Sequence, residues 1–457
     1  MSDQKVDLVI IGAGPAGMAA ACEARRYGLS VMLLDEQPAA GGQIYRAVDS
    51  APADRVDLLG NDYGYGKNLT RAFGASGAEH LRGAAVWSVE RDGSVHYLAD
   101  GRSATVKGIN ILLASGAMER PFPVPGWTLP GVMTAGAAQI LLKSAGALPD
   151  QPAVLAGCGP LLYLLAWQYL RAGAPIKAIV DTTPLKAYRE ALKHWDGALK
   201  GWRDLKRGLG LLRSIRRHGV AVYRGATHLG VLGDVRAQGL TFQIGGQPQR
   251  VESPLILLHQ GVVPNTQLSL SMRLAHRWDS QQLCWTPVVD EWGKTDCANC
   301  YIAGDSAGIV GAKASAEQGR LVALDVALRA NRLSESLRES LALPIRDALT
   351  QFTAIRSFLD VLYRPLDIHR MPADDVIVCR CEEVTAGQIR HYVELGCHGP
   401  NQTKAFGRCG MGPCQGRLCG LTVTELIADA RKVDPQDIGY YRIRPPIKPI
   451  TLGELAQ

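Results

Sequence analysis

Residues 7–46 constrain this chain more than any other stretch. An apolar run at 8–11 has the length of a buried strand. Gly12, Gly14 and Gly17 follow in G-x-G-x-x-G spacing, residues 16–26 have helical character, and a second apolar run at 30–34 ends at Asp35. A glycine at 12 makes the tight turn, one at 14 lets the backbone approach a pyrophosphate, and one at 17 lets helix and strand pack closely. The helix beginning at Pro15 and Ala16 offers free N–H groups and a positive dipole end to the same phosphates. Asp35, 18 residues beyond Gly17, stands where a carboxylate accepts hydrogen bonds from a ribose. Strand, turn, helix, strand and acid in this order predict a βαβ unit that binds a dinucleotide. Glu36 adjoins that acid.

A partial copy of the pattern follows later. An apolar run at 153–170 is interrupted by Gly157, Gly159 and Pro160, which favours a strand turning into a helix over a membrane span. Leu162 occupies the place of the third glycine, and the next apolar run ends at Asp181. Two readings stay open: a degenerate structural copy, or a site for a second adenine nucleotide (NAD or ATP) held by Gly157, Gly159 and Asp181. In the second case an acid at 181 favours NAD over NADP, because it repels a 2′-phosphate.

The cysteines divide the chain. Five are scattered at 22, 158, 284, 297 and 300, whereas Cys379, Cys381, Cys397, Cys409, Cys414 and Cys419 crowd into the last fifth. A chain of 457 residues has core enough without disulfides, so the crowding points to metal. Soft thiolates spaced C-x-C and C-x4-C suit a [2Fe–2S] cluster or zinc, with glycines between them turning backbone N–H groups toward sulfur. C-x-C is unusual for zinc ribbons. Thr385 and Gln388 form a capping box for a helix over 386–395.

The net charge of +7, from 50 basic and 43 acidic residues, is too mild to require a nucleic-acid partner. Ten Lys/Arg against three acids lie in 186–217, with Tyr188, Trp195 and Trp202 among them, and read as a pair of solvated amphipathic helices. MSDQK runs directly into a strand with no secretory pattern, so a cytoplasmic location and no membrane span are expected.

Gly41-Gly42-Gln43 after Asp35, Ala114-Ser115-Gly116 after an apolar run, and Tyr301-Ile302-Ala303-Gly304-Asp305 far downstream resemble the two-dinucleotide-domain flavoprotein family of thioredoxin and glutathione reductases. That resemblance implies FAD. The late Gly304-Asp305 strand returns to the first domain, where Asp305 holds the ribityl chain, and Gly42, Gln43, Ser115 and Gly116 lie along the flavin. The cysteine region resembles the bacterioferritin-associated ferredoxin-like domain, which implies [2Fe–2S]; Cys379, Cys381, Cys414 and Cys419 are assigned as ligands, with Cys409 and Cys397 left over.

The expected fold class is α/β: a glutathione/thioredoxin reductase-like flavoprotein with a small helical [2Fe–2S] domain at its C-terminal end. Its parts are the FAD domain (1–120), a second nucleotide-type domain (121–264), the return to the FAD domain (265–330), a linker region (331–372), the cysteine domain (373–440) and a tail (441–457). Within the first part, 47–80 reads as an irregular excursion, and 84–90, 95–99 and 104–107 as a small meander.

With 41–46, the loop 121–131 and 409–419, the whole resembles the alpha subunits of heteromeric opine oxidases, D-hydroxyproline dehydrogenase and hydrogen cyanide synthase. The resemblance implies an electron-transfer subunit. A D-amino-acid-oxidase-like beta subunit with its own flavin would oxidise the C–N bond, and a small [2Fe–2S] gamma subunit often joins. No catalytic acid or base is assignable in this chain. The competing readings are a self-sufficient NAD(P)H-dependent FAD/iron–sulfur reductase and a scaffold with structural cofactors.

Overall fold

The computed structural model describes residues 5–456; residues 1–4 and 457, which the outermost domain boundaries and the reading of the N-terminus include, lie outside it. β1 (Lys5–Ile11), α1 (Pro15–Arg26) and β2 (Val31–Asp35) form the expected βαβ unit. The following segment is not irregular: it holds α2 (Ala53–Leu59), α3 (Asn61–Ala75) and β3 (Glu79–Arg82), and β3 adds in parallel to β2. β4 (Ala85–Val89) and β5 (Ser94–Ala99) begin the meander, and β6 (Arg102–Leu113) merges its third strand with the apolar run at 109–113. The first half of β6 pairs antiparallel with β5 and the second half parallel with β1, so one strand joins the meander to the dinucleotide sheet.

β7 (Ala117–Glu119) leaves this domain, and β8 (Val132–Thr134) with α4 (Ala135–Ala145) opens the second. Then come β9 (Ala153–Cys158), α5 (Pro160–Arg171) and β10 (Ile176–Asp181). α6 (Leu185–Ala191), α7 (Trp195–Lys200) and α8 (Trp202–Arg217) stand where two helices are expected. β11 (Ala221–Arg224) and β15 (Leu255–Gln260) complete a parallel sheet of order β11-β10-β9-β15-β8. Between them β12 (Thr227–Leu232), β13 (Gly239–Ile244) and β14 (Gln247–Glu252) form an antiparallel meander. β14 escapes sequence reading because five of its six residues are exposed and carry no alternation.

β16 (Val262–Pro264) pairs antiparallel with β7, so the two crossings between domains lie side by side. After α9 (Gln267–Ser271), β17 (His276–Asp279) and β18 (Cys284–Pro287), β19 (Cys300–Ile302) enters the first sheet beside β6. α10 (Ala312–Arg329) then packs along α1. A Cβ on Gly319 would fall 2.1 Å from the Ala16 carbonyl oxygen, so only glycine admits this approach.

The linker region is helical: α11 (Glu335–Thr353), α12 (Arg356–Leu362) and α13 (Asp367–Arg370). The cysteine region follows with β20 (Ile377–Cys379), β21 (Val384–Thr385), α14 (Ala386–Glu394), α15 (Pro400–Gly407), α16 (Gly420–Arg431) and α17 (Pro435–Ile438). α14 carries the expected capping box, Thr385 Oγ1 accepting from the Gln388 N–H (3.3 Å) and Gln388 Oε1 from the Thr385 N–H (2.9 Å). The last segment does not hang free. Tyr441, Ile443 and Ile447 are buried, and the Ile447 N–H donates to the Trp87 carbonyl (3.0 Å) before α18 (Leu452–Leu455). One apolar cluster runs from Val9 and Ile111 through Leu268 and Met272 to Cys379, Cys409, Cys419 and Ile427. The cysteine region thus shares a core with the first domain. No described helix is long and apolar enough to cross a membrane.

Candidate functional site

The first turn is built by close approach. A Cβ on Gly12 would stand 2.4 Å from the Ala114 carbonyl oxygen, and one on Gly17 1.9 Å from that of Gly12. Gly14 differs: its φ of −78° suits any residue, and the nearest atom to an added Cβ is Gly42 Cα at 3.9 Å. The protein therefore leaves an open cradle in front of the helix N-terminus, where a pyrophosphate fits. The Gly41 N–H donates to the Ala13 carbonyl (2.8 Å) and draws the Gly42 loop onto this turn. Asp35 Oδ2 accepts from the Ala13 N–H (2.5 Å) and Oδ1 from the Gln37 N–H (2.7 Å), which fixes the carboxylate beside the cradle. Pro15 and Ala16 open α1. Glu36 is half-exposed and ion-paired with Lys448 of the last segment.

Gln43 is exposed, and its carbonyl accepts from the Lys143 ammonium (3.1 Å). Burial of Lys143 and the nearby Arg46 bring that ammonium down to about 7. Ser115 Oγ donates to the Asn265 carbonyl (2.9 Å), and the Asn265 N–H to that of Gly116 (2.9 Å), so the flavin-side strand end is tied to the domain crossing. Gly304 reaches the same place: a Cβ on it would come within 3.0 Å of the Ala16 Cβ. Asp305 Oδ1 accepts from the N–H groups of Val310 (2.9 Å) and Gly311 (2.8 Å), which caps the entry to α10. Residues far apart in sequence thus converge on one cleft, and the donor and acceptor set fits FAD.

The second turn is filled differently. A Cβ on Gly157 would lie 1.6 Å from the His259 carbonyl oxygen, and one on Gly159 3.2 Å from His259 Nε2. Leu162, in the place of the third glycine, is fully buried in the second domain's core. Asp181 is also fully buried: the Tyr163 hydroxyl donates to Oδ2 and the Thr183 N–H to Oδ1 (2.8 Å). Burial first, then the Asp181 charge, push the Tyr163 hydroxyl far above its ordinary value. Cys158 Sγ donates to the Tyr363 carbonyl (3.4 Å), so the chain beyond α12 lies against this turn.

The six clustered cysteines fall into three groups. The thiols of Cys379, Cys409 and Cys419 all lie within 4.8 Å of one another and are buried. Cys379 is driven down to about 2 by S–H donation from Cys409 and then Cys419, while both donors are pushed up. Cys381 and Cys414 form an adjacent pair, in which the Cys414 N–H faces the Cys381 sulfur. Cys397 is buried elsewhere in the core. Of the residues expected as ligands, the structure brings Cys379 to Cys419 and Cys381 to Cys414, and it adds Cys409 to the first group.

The loop glycines have two tasks. The Gly410 N–H does face the Cys379 sulfur, but Cβ atoms on Gly410 and Gly416 would each also fall 2.6 Å from the ring of Tyr441. No motif announces Tyr441, and none announces Gln267, whose amide donates to the Gln415 carbonyl (3.0 Å) and docks this loop on the flavin domain. Trp127 Nε1 docks the other side, donating to the Ile377 carbonyl (2.7 Å). Cys297 and Cys300 stay in the core as free thiols. A group of three sulfurs with a pair beside it fits a thiophilic metal or an iron–sulfur cluster.

The family model described as pyridine nucleotide-disulphide oxidoreductase matches residues 6–323. The chain belongs to this family. It is a FAD-binding flavoprotein oxidoreductase. A second model, the sarcosine oxidase A3 domain, matches residues 375–457 and takes in both the cysteine region and the last segment. The A subunit of opine oxidase from Agrobacterium tumefaciens (strain Ach5) is 46% identical over 461 residues, covering 98% of this chain and 91% of that protein. Its counterpart in Rhizobium meliloti (strain 1021) is 42% identical, covering 98% of both. The chain therefore also belongs to the family of these opine oxidase subunits. Hydrogen cyanide synthase subunit HcnB of Pseudomonas protegens is 30% identical, with 97% of this chain and 96% of that one covered. Among solved structures, L-proline dehydrogenase from P. horikoshii superposes with a TM-score of 0.72 at 17% identity, covering 99% of this chain and 80% of that one. Thioredoxin reductase from T. acidophilum gives 0.51 at 19% identity over 72% of this chain and 99% of that one. These likenesses show the fold.

Proposed function

We propose that this chain is the electron-transfer subunit of a heteromeric dehydrogenase or oxidase acting on the C–N bond of an opine, D-hydroxyproline or a related amino acid. Substrate oxidation takes place on a D-amino-acid-oxidase-like partner with its own flavin. The observation that carries this reading is three buried thiols within reach of one another, with Cys381 and Cys414 paired beside them, in a region that shares one apolar core with the first domain. The opine oxidase and hydrogen cyanide synthase relatives are each named as one subunit of a larger enzyme, which supports a heteromeric setting.

The FAD is held by Gly12, Gly14, Pro15, Ala16, Gly17, Asp35, Glu36, Gly42, Gln43, Ser115, Gly116, Gly304 and Asp305. A [2Fe–2S] cluster is held by Cys379, Cys381, Cys414 and Cys419. When bound, the flavin accepts electron pairs and the cluster passes single electrons. The chain's own residues bind and orient these groups: Gln267 seats the thiol loop on the flavin domain, Trp127 ties β20 to the second domain, and buried apolar side chains keep water from the sulfurs of Cys379 and Cys419. The nicotinamide-driven reading has less support, because Asp181 is fully buried behind the Tyr163 hydroxyl and so is sealed from a ribose.

Iron and acid-labile sulfide are the test. Each should measure about two per chain, as a [2Fe–2S] centre requires. Serine at Cys379, Cys381, Cys414 or Cys419 should empty the site, since a hard alkoxide replaces a soft thiolate. Cys409 competes with Cys419 for the fourth place. If Cys409→Ser loses iron while Cys419→Ser keeps it, the fourth ligand is Cys409; stoichiometric zinc without sulfide would overturn the relay itself.

A further inference from the structure

The most basic stretch of this chain is also its most exposed apolar one. Residues 185–217 carry ten Lys/Arg and three acids, a surplus equal to the chain's whole net charge of +7. Their small residues face inward: Ala187, Ala191, Gly197 and Ala198 are buried. A Cβ on Gly197 would fall 2.3 Å from the Ala354 carbonyl oxygen, and one on Gly201 2.6 Å from the Ile355 Cβ, so this face is pressed onto the junction between α11 and α12.

The large apolar side chains face outward. Leu185, Leu192, Trp195, Leu199, Trp202 and Leu209 are 51–75% exposed. With the half-exposed Tyr188, those up to Trp202 recur every three or four residues along α6, the 3-10 turn Leu192–His194, α7 and the start of α8. Here the pattern is inverted: alanine and glycine are inside, leucine and tryptophan in solvent. So many large apolar side chains left in solvent over one short stretch mark a surface that meets something else.

The flanking charges select what it meets. A cation follows directly after Leu185, Tyr188, Leu192, Leu199 and Trp202, as Lys186, Arg189, Lys193, Lys200 and Arg203. Arg203 and Lys206 also lie 6.0 and 5.8 Å from the Trp202 ring centroid. Lysine is depleted in protein–protein interfaces. Lys and Arg beside Leu and Trp, by contrast, mark helices that lie in the plane of an anionic bilayer, with stems among the acyl chains and charges at the phosphates. We propose that α6, α7 and the first half of α8 form a peripheral docking face for an anionic phospholipid surface. No described helix is long and apolar enough to cross a bilayer, so the chain would lie on the surface.

The test uses the full-length, flavin-loaded protein and co-sedimentation with vesicles. It should pellet with phosphatidylglycerol/phosphatidylethanolamine vesicles, stay in the supernatant with phosphatidylcholine, and be released by salt. The combined variant Leu192→Ser, Trp195→Ser, Leu199→Ser, Trp202→Ser should lower the partition coefficient about tenfold or more, with flavin content and melting midpoint unchanged because these side chains stand outside the core. Lys186→Gln, Lys193→Gln, Lys200→Gln should lower it by about ten- to a hundredfold and flatten its salt dependence. Wild-type protein that ignores anionic vesicles at low salt, or a serine variant that binds them as well as wild type, overturns the proposal. Loss of a co-purifying partner subunit from the serine variant, with no vesicle binding by wild type, would assign the face to a protein instead.

Discussion

Gly14 and Gly17 stand three residues apart in one motif, yet their surroundings demand different things. Gly17 is required by the protein itself, since its Cβ would lie 1.9 Å from the Gly12 carbonyl oxygen. Gly14 is required only by what fills the cradle. Gly14→Val should therefore fold, with the apo-protein's denaturant midpoint near wild type, but bind FAD at least about tenfold more weakly, roughly 1.4 kcal/mol. Gly17→Ala should lower the stability of the apo-protein by about 1–3 kcal/mol through overpacking. Flavin titration and urea unfolding of both variants separate the roles; full-strength flavin binding by Gly14→Val would remove the pyrophosphate from this turn. Spacing makes such glycines legible. It does not reveal that Asp181, at the matching place in the second domain, is sealed by Tyr163, because a tyrosine in the helix between them carries no motif. Nor does spacing show which of the thiols group together: Cys409 lies ten residues from Cys419 in sequence, but the turn around Tyr441 brings both to Cys379.

At the scale of elements, long periodic segments were legible and the glycine-spotted one was not. Residues 47–80 look irregular because Gly60, Gly64, Gly66, Gly74 and Gly77 depress helix propensity, yet α3 forms because tertiary contacts override it. Gly66 shows how. A Cβ there would fall 2.4 Å from the buried Tyr45 ring, so the helix uses glycine to lie flat against an aromatic side chain. Gly74, in the same helix, has nothing within 4 Å. Alanine at 74 should stabilise the protein by about 0.5–1 kcal/mol. Alanine at 66 gains the same propensity but meets the ring, and should destabilise by a net 1–2 kcal/mol or so. Equal gains at both positions in chemical denaturation would mean that α3 does not rest on Tyr45. The continuity of β6 was hidden for another reason: its first half is half-exposed and polar, and its second is mostly apolar and buried from Asn110 to Leu113, so one element reads as two.

At the scale of the molecule, the question is what this chain leaves to another. Oxidising a C–N bond by hydride transfer needs the substrate carbon held about 3–3.5 Å from the accepting atom. It also needs a clamp for the carboxylate, best made by a guanidinium fork. Among the described residues, Arg120 and Arg370 are buried and Arg338 is half-buried, and all three guanidiniums are already engaged. Arg120 donates to the carbonyls of Leu283 (2.9 Å) and Gln282 (2.5 Å), Arg338 pairs with Asp325 (2.7 Å), and Arg370 pairs with Asp367 and Glu425. Freeing any of them would leave a buried carboxylate or carbonyl unpaired, at a cost of about 1–3 kcal/mol or more. They hold domains together and are not available to a substrate. The isolated chain, loaded with its cofactors, should therefore fail to oxidise opines, D-amino acids, proline derivatives or glycine. Co-expression with a D-amino-acid-oxidase-like partner should restore dye-linked dehydrogenase activity, and substrate should then bleach the flavin of both chains. Anaerobic mixing of the isolated protein with each compound, followed at the flavin absorbance, is the measurement. Rapid bleaching without a partner would make this chain the site of substrate oxidation, and a clamp would then have to come from a side chain other than these three arginines.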